Sequence, residues 1–261
     1  MSSGEPGVPP QVALVTGAGT GIGRATSLLL ASTGITVMAV GRRAPLLASL
    51  CAENRGVFYV ADSLDSPEGC SRVVERTVER LGAPSILVHA AGLGGYLDSP
   101  IWEETTESWR AAMAIHLDAA FELMRLTVPA MCEARYGRIV LLGSTAGSVG
   151  APAMSAYSAS KAGLVGLMRS VACDVAPFDV TCNAVLPTWV RGTEMAERDA
   201  AAEARSRSTT VDDIWGERAE ASWAKRVLEA SEVASVICFL ATRAASGVNG
   251  AAVDVTLGNT W

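Results

Sequence analysis

The 261-residue sequence predicts an α/β fold, a doubly wound parallel sheet with helices on both faces. Short apolar runs alternate with amphipathic helical segments along most of the chain, which is typical of βαβ units. A glycine-rich turn at residues 17–23 lies between the first apolar run and the first helical segment. The run at residues 139–143 carries no polar side chain, as expected of a strand covered on both faces.

The predicted elements follow from these apolar patterns and from the turn residues between them. Strands are predicted at residues 11–16, 35–40, 57–60, 86–89, 138–143, 180–185 and 251–255. Helices are predicted at residues 24–33, 43–52, 67–81 and 108–133, in a segment that carries Tyr157 and ends near residue 176, and at 231–242 with Ser231 as its cap. No repeat or linker indicates a second domain. We therefore expect one domain over residues 11–261 after a flexible leader at residues 1–10.

The segment at residues 188–225 has a different composition from the rest of the chain. It mixes Ala, Glu, Arg and Thr, and three tryptophans, Trp189, Trp215 and Trp223, lie within or beside charged stretches. We predict a partly helical lid that folds over the substrate site.

Composition excludes several classes of partner. The net charge of −6 is spread along the chain without a basic block, so we expect no nucleic-acid partner. The sequence has no run of eighteen apolar residues, so no membrane span is predicted, and no signal peptide is evident at its start. The six cysteines are far apart and lack metal-ligand spacing, so reduced thiols, no metal site and a cytoplasmic location are expected.

The glycine turn predicts a dinucleotide site. Gly17, Gly21 and Gly23 directly follow a strand and open a helix, so the backbone can approach an anion closely and point its amide hydrogens at it. Thr20 and Ile22 lie in the same turn. A pyrophosphate fits this arrangement, and the alternative of an ordinary tight turn is disfavoured by the βαβ pattern that follows.

The choice of dinucleotide depends on the end of the second strand, where an acidic residue would bind the ribose hydroxyl of NAD. No acidic residue lies between Glu5 and Glu53, and the expected position is Gly41, followed by Arg42 and Arg43. A guanidinium pair suits a 2′-phosphate, so NADP(H) is favoured; the alternative is that the arginines only solvate a loop, which leaves NAD(H) open. Asp62 either binds the adenine amino group or begins a turn.

Tyr157 and Lys161 are spaced for one chemical task. Four residues apart on a helix, they share one face, so the lysine charge is expected to favour phenolate and lower the tyrosine pKa. Ser144 directly follows the apolar run at 139–143, which predicts that its hydroxyl emerges at the carboxyl edge of the sheet. Open α/β sheets bind ligands at that edge.

With these motifs in place, the chain resembles the short-chain dehydrogenase/reductase family over nearly its whole length. Residues 16–23 fit the family's Thr-Gly-x-x-x-Gly-x-Gly turn, and residues 157–161 fit its Tyr-x-x-x-Lys signature. The resemblance implies a Rossmann fold with a seven-stranded sheet and carbonyl–alcohol interconversion by an NAD(P)-dependent enzyme. It also implies a homo-oligomer, a tetramer or a dimer.

The resemblance also implies roles for individual residues. Tyr157 would exchange the proton with the substrate oxygen, Ser144 would polarise that oxygen, and Lys161 would hold the nicotinamide ribose. Further cofactor contacts are expected at Ala90, Ala91, Gly92, Pro187, Val190 and Thr193.

Several positions depart from the family pattern. His89 and Ala90 stand where the family has two asparagines, so an asparagine amide that usually braces the central sheet is expected to be lost. His116 replaces the fourth catalytic residue, normally asparagine. Its imidazole either takes part in a proton relay through Lys161 and water, or only packs and hydrogen-bonds. The family's threonine after the sixth strand appears one residue late, at Thr193, with Gly192 in its place.

The substrate is expected to be a bulky apolar or cyclic ketone. The pocket should be lined by Gly94, Thr145, Met154 and Trp189, together with the predicted lid. Relatives that act on carrier-borne acyl groups use two basic residues, of which only Arg135 is present here. Three alternatives remain: an NAD-dependent alcohol dehydrogenase, a nucleotide-binding regulatory protein with impaired catalysis, and a halide-releasing lyase, which the cofactor glycines disfavour.

Overall fold

A computed structural model describes residues 11–93 and 99–259. The strands are β1 (Val12–Thr16), β2 (Thr36–Gly41), β3 (Val57–Ala61), β4 (Ile86–His89), β5 (Gly137–Leu142), β6 (Val180–Pro187), β7 (Val190–Arg191), β8 (Leu228–Glu229) and β9 (Ala252–Val255). Seven of them form one parallel sheet in the order β3-β2-β1-β4-β5-β6-β9, and β7 pairs with β8. The doubly wound parallel sheet is confirmed. The predicted leader and Gly94 lie outside the described residues.

Helices cover both faces of the sheet. They are α1 (Gly21–Ser32), α2 (Ala44–Glu53), α3 (Pro67–Leu81), α4 (Thr106–Met113), α5 (Ala119–Glu133), α6 (Ala146–Val149), α7 (Ser155–Val175), α8 (Glu194–Ser206), α9 (Val211–Ala221) and α10 (Ala230–Leu240). Side chains of α3, α5 and α7 form the apolar layer on one face, and those of α1, α2 and α10 form the layer on the other. In β1, Leu14 enters the first layer while Ala13 and Val15 enter the second, as the two-residue period of a strand requires.

Two predicted helices differ in detail. The helix expected at residues 108–133 is divided by a π-helical turn at Ala114–Asp118, between α4 and α5. Such turns are rare and often lie at functional sites, and this one contains His116. The cap expected at Ser231 is wrong, because α10 begins one residue earlier. Glu229 is the N-cap residue, and its amide donates to the Glu232 carboxylate at 2.9 Å, as in a capping box.

The topology brings the functional segments to one edge of the sheet. Parallel strands end at the same edge, so the glycine turn after β1, residues 90–93 after β4, Ser144 after β5 and the residues after β6 meet there. The lid segment, defined as residues 188–225, contributes α8 and α9 beside this edge, with a small core of Ala196, Ala200, Ala204, Ile214 and Trp215.

Within residues 11–93 and 99–259, no helix is long and apolar enough to cross a membrane. The same part of the chain contains no group of three His, Cys, Asp or Glu side chains that could hold a metal ion.

Candidate active site

The glycine turn has a backbone that tolerates no side chain at its critical positions. Gly17 has a φ of +64°, and a Cβ there would lie 2.6 Å from the Ala90 carbonyl oxygen. A Cβ on Gly23 would overlap the Gly17 carbonyl, and Gly21 has a φ of +54°. The first strand, the turn and α1 therefore pack closely, which leaves a backbone cradle at the helix N-terminus suited to a pyrophosphate.

One cavity of about 690 Å³ joins this cradle to the chemical groups. Every predicted cofactor residue lines it: Gly17, Thr20, Gly21, Ile22, Gly23, Arg42, Arg43, Asp62, Ala90, Ala91, Gly92, Tyr157, Lys161, Pro187, Val190 and Thr193. The cavity also reaches Ser144, Thr145, Met154 and Trp189. A dinucleotide therefore fits between the cradle and the Tyr157 phenol.

Arg43, at the end of β2, is already bound to a carboxylate. Its Nη1 and Nη2 donate to the two oxygens of Glu194, the first residue of α8, at 3.0 and 2.6 Å. Both side chains are about half exposed. Sequence reasoning found no acid near this position because Glu194 is far away in the chain and approaches through the lid segment.

Asp62 is engaged by a backbone amide and by an ion pair. Its Oδ1 accepts from the Ser63 amide at 2.9 Å, and Arg72 donates to both carboxylate oxygens at 2.8 and 3.0 Å. The Arg72 guanidinium lowers the pKa of this carboxyl group. Asp62 lines the cavity, and both the adenine contact and the turn stay predictions.

An imidazole braces the sheet at one position of the family's two-asparagine motif. The Thr16 hydroxyl accepts from the amides of Ala90 and Ala91 at 3.1 and 3.0 Å, so it donates its proton to His89 Nδ1 at 3.1 Å. His89 Nε2 then carries the hydrogen and donates to the Ile115 carbonyl at 3.0 Å. His89 thus connects β1 and β4 to the π-helical turn without an asparagine amide.

Ser144, Tyr157 and Lys161 form one cluster on the cavity wall. The Ser144 hydroxyl is close enough to the Tyr157 phenol to lower its pKa. Lys161 is buried and donates from Nζ to the Leu142 carbonyl at 2.7 Å, with Nζ 5.6 Å from the centre of the Tyr157 ring. The serine oxygen also accepts from the Ala146 amide at 3.2 Å, which fixes its position after β5.

The expected lowering of the Tyr157 pKa is wrong for the protein without cofactor. Burial is the largest influence and raises the pKa of Tyr157; the Ser144 hydrogen bond lowers it and the Asp199 charge raises it. Burial also lowers the pKa of Lys161 to about 7, so the ammonium itself is destabilised. For the pKa values of both groups, the loss of solvent on burial has a larger effect than the closeness of the two side chains.

His116 is held by a directed chain of hydrogen bonds behind the cavity. Ser160 donates its hydroxyl proton to the Tyr157 carbonyl at 2.7 Å, so its oxygen accepts from His116 Nδ1 at 2.8 Å. The Leu93 amide donates to His116 Nε2 at 2.9 Å. Burial lowers the pKa of the imidazole well below its usual value. Both nitrogens are therefore engaged and the ring is neutral, which fits the packing and hydrogen-bonding alternative rather than the relay.

The substrate end of the cavity is bounded by the lid segment. Trp189 and Met154 line it, and Thr145 donates its hydroxyl to the Pro187 carbonyl at 3.4 Å. The guanidinium of Arg218 lies 3.6 Å from the centre of the Trp189 ring and 4.9 Å from that of Trp215. The lid segment thus fixes the orientation of the cavity's tryptophan wall.

Sequence reasoning missed several residues of this site. Asp199 is 8% exposed and lines the cavity from α8, and buried Arg218 supports Trp189. The four-residue spacing of Ala196, Ala200 and Ala204 could have predicted the buried face of α8. Asp199 lies on that face, so its burial could have been predicted from the same pattern. Ser160 had no such signal.

Comparison with known proteins identifies the class. A family model described as short chain dehydrogenase matches residues 11–204. The chain is 33% identical over 250 residues to the 3-oxoacyl-acyl-carrier-protein reductase FabG of Thermotoga maritima, covering 94% of this chain and 96% of that protein. It is 35% identical over 258 residues to a Streptomyces virginiae protein described as a ketoacyl reductase of the monensin polyketide synthase, covering 95% and 97%.

The fold comparison agrees. A solved structure of an actinorhodin polyketide ketoreductase variant with NADPH superposes with a TM-score of 0.90 at 29% identity, covering 96% of this chain and 98% of that one. The chain belongs to the short-chain dehydrogenase/reductase family. It is an NAD(P)-dependent oxidoreductase.

Proposed function

We propose that this protein is an NADPH-dependent ketoreductase that acts on a bulky, mostly apolar ketone. One observation carries the proposal: the Ser144, Tyr157 and Lys161 cluster lies on the wall of the cavity that begins at the glycine cradle. A carbonyl oxygen near the Tyr157 phenol would be within the same enclosed space as a dinucleotide in the cradle. The ketoreductases among the relatives support the same reaction class.

NADPH would supply the hydride to the carbonyl carbon. Tyr157 would donate its phenolic proton to the carbonyl oxygen, and the Ser144 hydroxyl would hold that oxygen by a hydrogen bond. Because burial raises the pKa of Tyr157, the phenol is protonated at neutral pH and suited to giving a proton. This state supports reduction of a ketone more directly than oxidation of an alcohol.

Lys161 would hold the ribose hydroxyls of the cofactor. Its Nζ is anchored to the Leu142 carbonyl at 2.7 Å, between β5 and α7, so the charge lies at a fixed place beneath the tyrosine ring. With a pKa of about 7, the amine gains or loses a proton readily near neutrality. Lys161 would therefore respond to the charge of the bound cofactor and the phenol.

The preference for NADPH rests on Arg42 and Arg43, which line the cavity at the end of β2. A 2′-phosphate there would be met by the guanidinium fork, and Arg43 would exchange Glu194 for the phosphate. The NADPH named with the actinorhodin ketoreductase structure supports this choice by analogy.

The substrate proposal rests on the walls of the cavity. Leu93, Ala111, Ile115, Met154 and Trp189 give a largely apolar surface around the reacting groups. Arg135, the remaining member of the basic pair, donates to the Pro177 carbonyl at 2.9 Å. A bulky or cyclic ketone is therefore preferred over an acyl group borne by a carrier protein.

A second candidate is an NAD-dependent alcohol dehydrogenase. The Glu194 carboxylate favours it, because an acid close to Arg43 could accept from a ribose hydroxyl and would repel a 2′-phosphate. A homo-oligomeric state and a cytoplasmic location stay predictions from the sequence.

The test is turnover with both cofactors and two substrate classes. We expect reduction of cyclic ketones with NADPH, weaker reduction of acetoacetyl thioesters, and loss of turnover in Tyr157→Phe with NADPH binding retained. Arg42→Ala should weaken NADPH binding more than NADH binding. Undiminished turnover in Tyr157→Phe would remove the catalytic assignment, and equal loss for both cofactors in Arg42→Ala would favour the NAD-dependent candidate.

A further inference from the structure

A buried hydroxyl without a partner lies in the wall of the cavity. Thr188 directly follows β6, is partly buried and lines the cavity between Pro187 and Trp189. Its Oγ1 is shielded from solvent and makes no hydrogen bond to any residue that the structure describes. An unpaired buried hydroxyl is destabilising, so a ligand group that pairs with it gains binding free energy.

The main chain of Thr188 is held by the sheet, and its side chain retains rotational freedom. The Thr188 amide donates to the Val255 carbonyl of β9 at 3.2 Å, and the preceding Pro187 is paired with Val255. Threonine χ1 occupies separate staggered wells. Because the residue lines the cavity while Oγ1 is shielded, a turn to another well can bring the hydroxyl to the cavity surface without moving the strand.

This part of the wall lies beside the reacting groups. The Thr145 amide donates to the Pro187 carbonyl at 3.3 Å, which brings the end of β6 next to the residue that follows Ser144. The redox-active ring of a dinucleotide has to reach a carbonyl held by Ser144 and Tyr157, so the nicotinamide rather than the adenine belongs near Thr188. Its polar substituent is a carboxamide, whose amino group carries two hydrogen-bond donors.

The polar groups on either side of Thr188 are already engaged. The Pro187 carbonyl accepts from the amide and the hydroxyl of Thr145 at 3.3 and 3.4 Å. The Thr193 hydroxyl donates to the Val190 carbonyl at 3.0 Å and accepts from an amide of α8 at 3.3 Å. Of the two threonine hydroxyls at residues 187–193, that of Thr188 is therefore the unpaired one.

We propose that Thr188 is a cofactor-binding residue whose hydroxyl oxygen accepts a hydrogen bond from the carboxamide amino group of the nicotinamide. This inference rests on the dinucleotide site of the proposed function and adds a contact within it. The bond would restrict rotation of the nicotinamide ring about its bond to the ribose. It would thereby fix which face of the ring is turned toward Ser144 and Tyr157.

The test compares NADP⁺ with its 3-acetylpyridine analogue, in which a methyl group replaces the carboxamide amino group. Calorimetric titration gives the Kd of each for the wild type and for Thr188→Val, which replaces the hydroxyl by a methyl group. We expect Thr188→Val to raise the Kd of NADP⁺ about two- to tenfold, the range for one hydrogen bond, and to change that of the analogue less than about twofold. The preference of the wild type for NADP⁺ over the analogue should shrink accordingly.

Two further variants act as controls. Thr188→Ser retains the hydroxyl and should keep the wild-type preference. Thr181→Val is the matched control, because Thr181 lies on β6, is 3% exposed and has a hydroxyl without a partner among the described residues, but lies outside the cavity lining. It should also keep the wild-type preference.

Thermal unfolding gives a second readout. Each valine variant removes an unpaired hydroxyl, so without cofactor neither should have a lower Tm than the wild type. The same concentration of NADP⁺ should raise the Tm of Thr188→Val less than that of Thr181→Val. A lower Tm of Thr188→Val without cofactor would mean that the hydroxyl already has a partner in the protein, and would overturn the proposal.

The outcomes are distinguishable from failure of the proposed function. An unchanged preference in Thr188→Val, or an equal change in Thr181→Val, overturns the carboxamide contact while dinucleotide binding stands. If NAD⁺ binds in place of NADP⁺, NAD⁺ and its 3-acetylpyridine analogue give the same comparison, and only the cofactor preference fails. If no ketone is reduced, the proposed reaction fails and the titrations still decide the contact. If Thr188→Val does not fold, Thr188→Ala supplies the comparison.

Discussion

At the scale of single residues, the two histidines of the chain occupy positions where the family has asparagine. Each is neutral and held in one tautomer, but the tautomers are opposite. His89 donates from Nε2 to Ile115, and His116 donates from Nδ1 to Ser160. The rings therefore reproduce the fixed donor and acceptor pattern of an amide with a larger, more rigid group.

His116 should behave as a positioning residue. His116→Ala leaves the Leu93 amide and the Ser160 hydroxyl without their partner, so we expect kcat/KM to fall about tenfold to a hundredfold. The wild type and His116→Asn, which restores the family residue, should show pH–rate profiles of the same shape, because burial lowers the pKa of the imidazole well below its usual value. The measurement is kcat/KM from pH 5 to pH 9. A limb near pH 6.5 present only in the wild type would assign the imidazole to proton transfer.

Glu194 should tune the cofactor preference. Glu194→Gln removes the charge that now binds Arg43, so the guanidinium becomes available to a 2′-phosphate. We expect the Kd for NADPH to fall about two- to fivefold, as for a partly exposed ion pair, and that for NADH to change less. Fluorescence titration with both cofactors measures this. Weaker NADPH binding in Glu194→Gln would instead make the carboxylate part of the cofactor site.

At the scale of elements, the lid segment is organised around a guanidinium between two indoles. Arg218 is 7% exposed, lies on α9 and contacts Trp189 and Trp215 while it binds Glu203 on α8. The pairing of β7 with β8 holds together the chain at the two ends of the lid segment. The substrate wall formed by Trp189 is therefore supported by residues that never reach the cavity themselves.

Replacing this support should affect substrate binding selectively. Arg218→Met retains much of the side-chain volume but loses the charge, so we expect the KM for a cyclic ketone to rise about tenfold while NADPH binding is retained. Arg191→Met is the matched control, since Arg191 lies 5.7 Å from the Trp215 ring centre and its side chain is 51% exposed. Steady-state kinetics and NADPH titration of both variants provide the comparison. Equal effects of the two substitutions would contradict the supporting role of Arg218.

At the scale of the whole molecule, buried imidazoles make stability depend on pH. The pKa of His89 is lowered from 6.5 to about 4, and that of His116 is also lowered, in both cases chiefly by burial. As the pH falls below 6.5, the unfolded chain binds protons that the folded chain does not. The free energy of unfolding therefore decreases through this window, and for His89 the decrease ends near pH 4.

The asparagines of the family should remove this dependence. Between pH 7.5 and pH 5, we expect the wild type to lose up to about 2 kcal/mol per imidazole more than the double variant His89→Asn, His116→Asn. Urea unfolding at the two pH values measures the difference, and any constant effect of the substitutions cancels. Equal losses in the two proteins would mean that the imidazoles are protonated in the folded state.

The sequence alone predicted the sheet, the glycine turn and the Ser144, Tyr157 and Lys161 cluster, because each depends on local spacing. The periodicity of apolar residues along the chain determines which segments become strands. Residues four positions apart on a helix share a face whatever else surrounds them. The family resemblance added a role for each position. The π-helical turn was missed because residue propensities hardly distinguish it from an ordinary α-helix. The Glu229 cap of α10 was missed because Ser231, two residues later, is the more usual capping residue, and helix ends are uncertain by one or two residues.

The tertiary structure decided what those groups experience. Burial reversed the expected direction of the Tyr157 pKa, and contacts between distant segments fixed the tautomer of His116. Glu194 meets Arg43 across 151 positions in sequence, and Asp199 reaches the cavity through the packing of α8. Desolvation and long-range electrostatics depend on three-dimensional neighbours, which no local pattern in the sequence specifies.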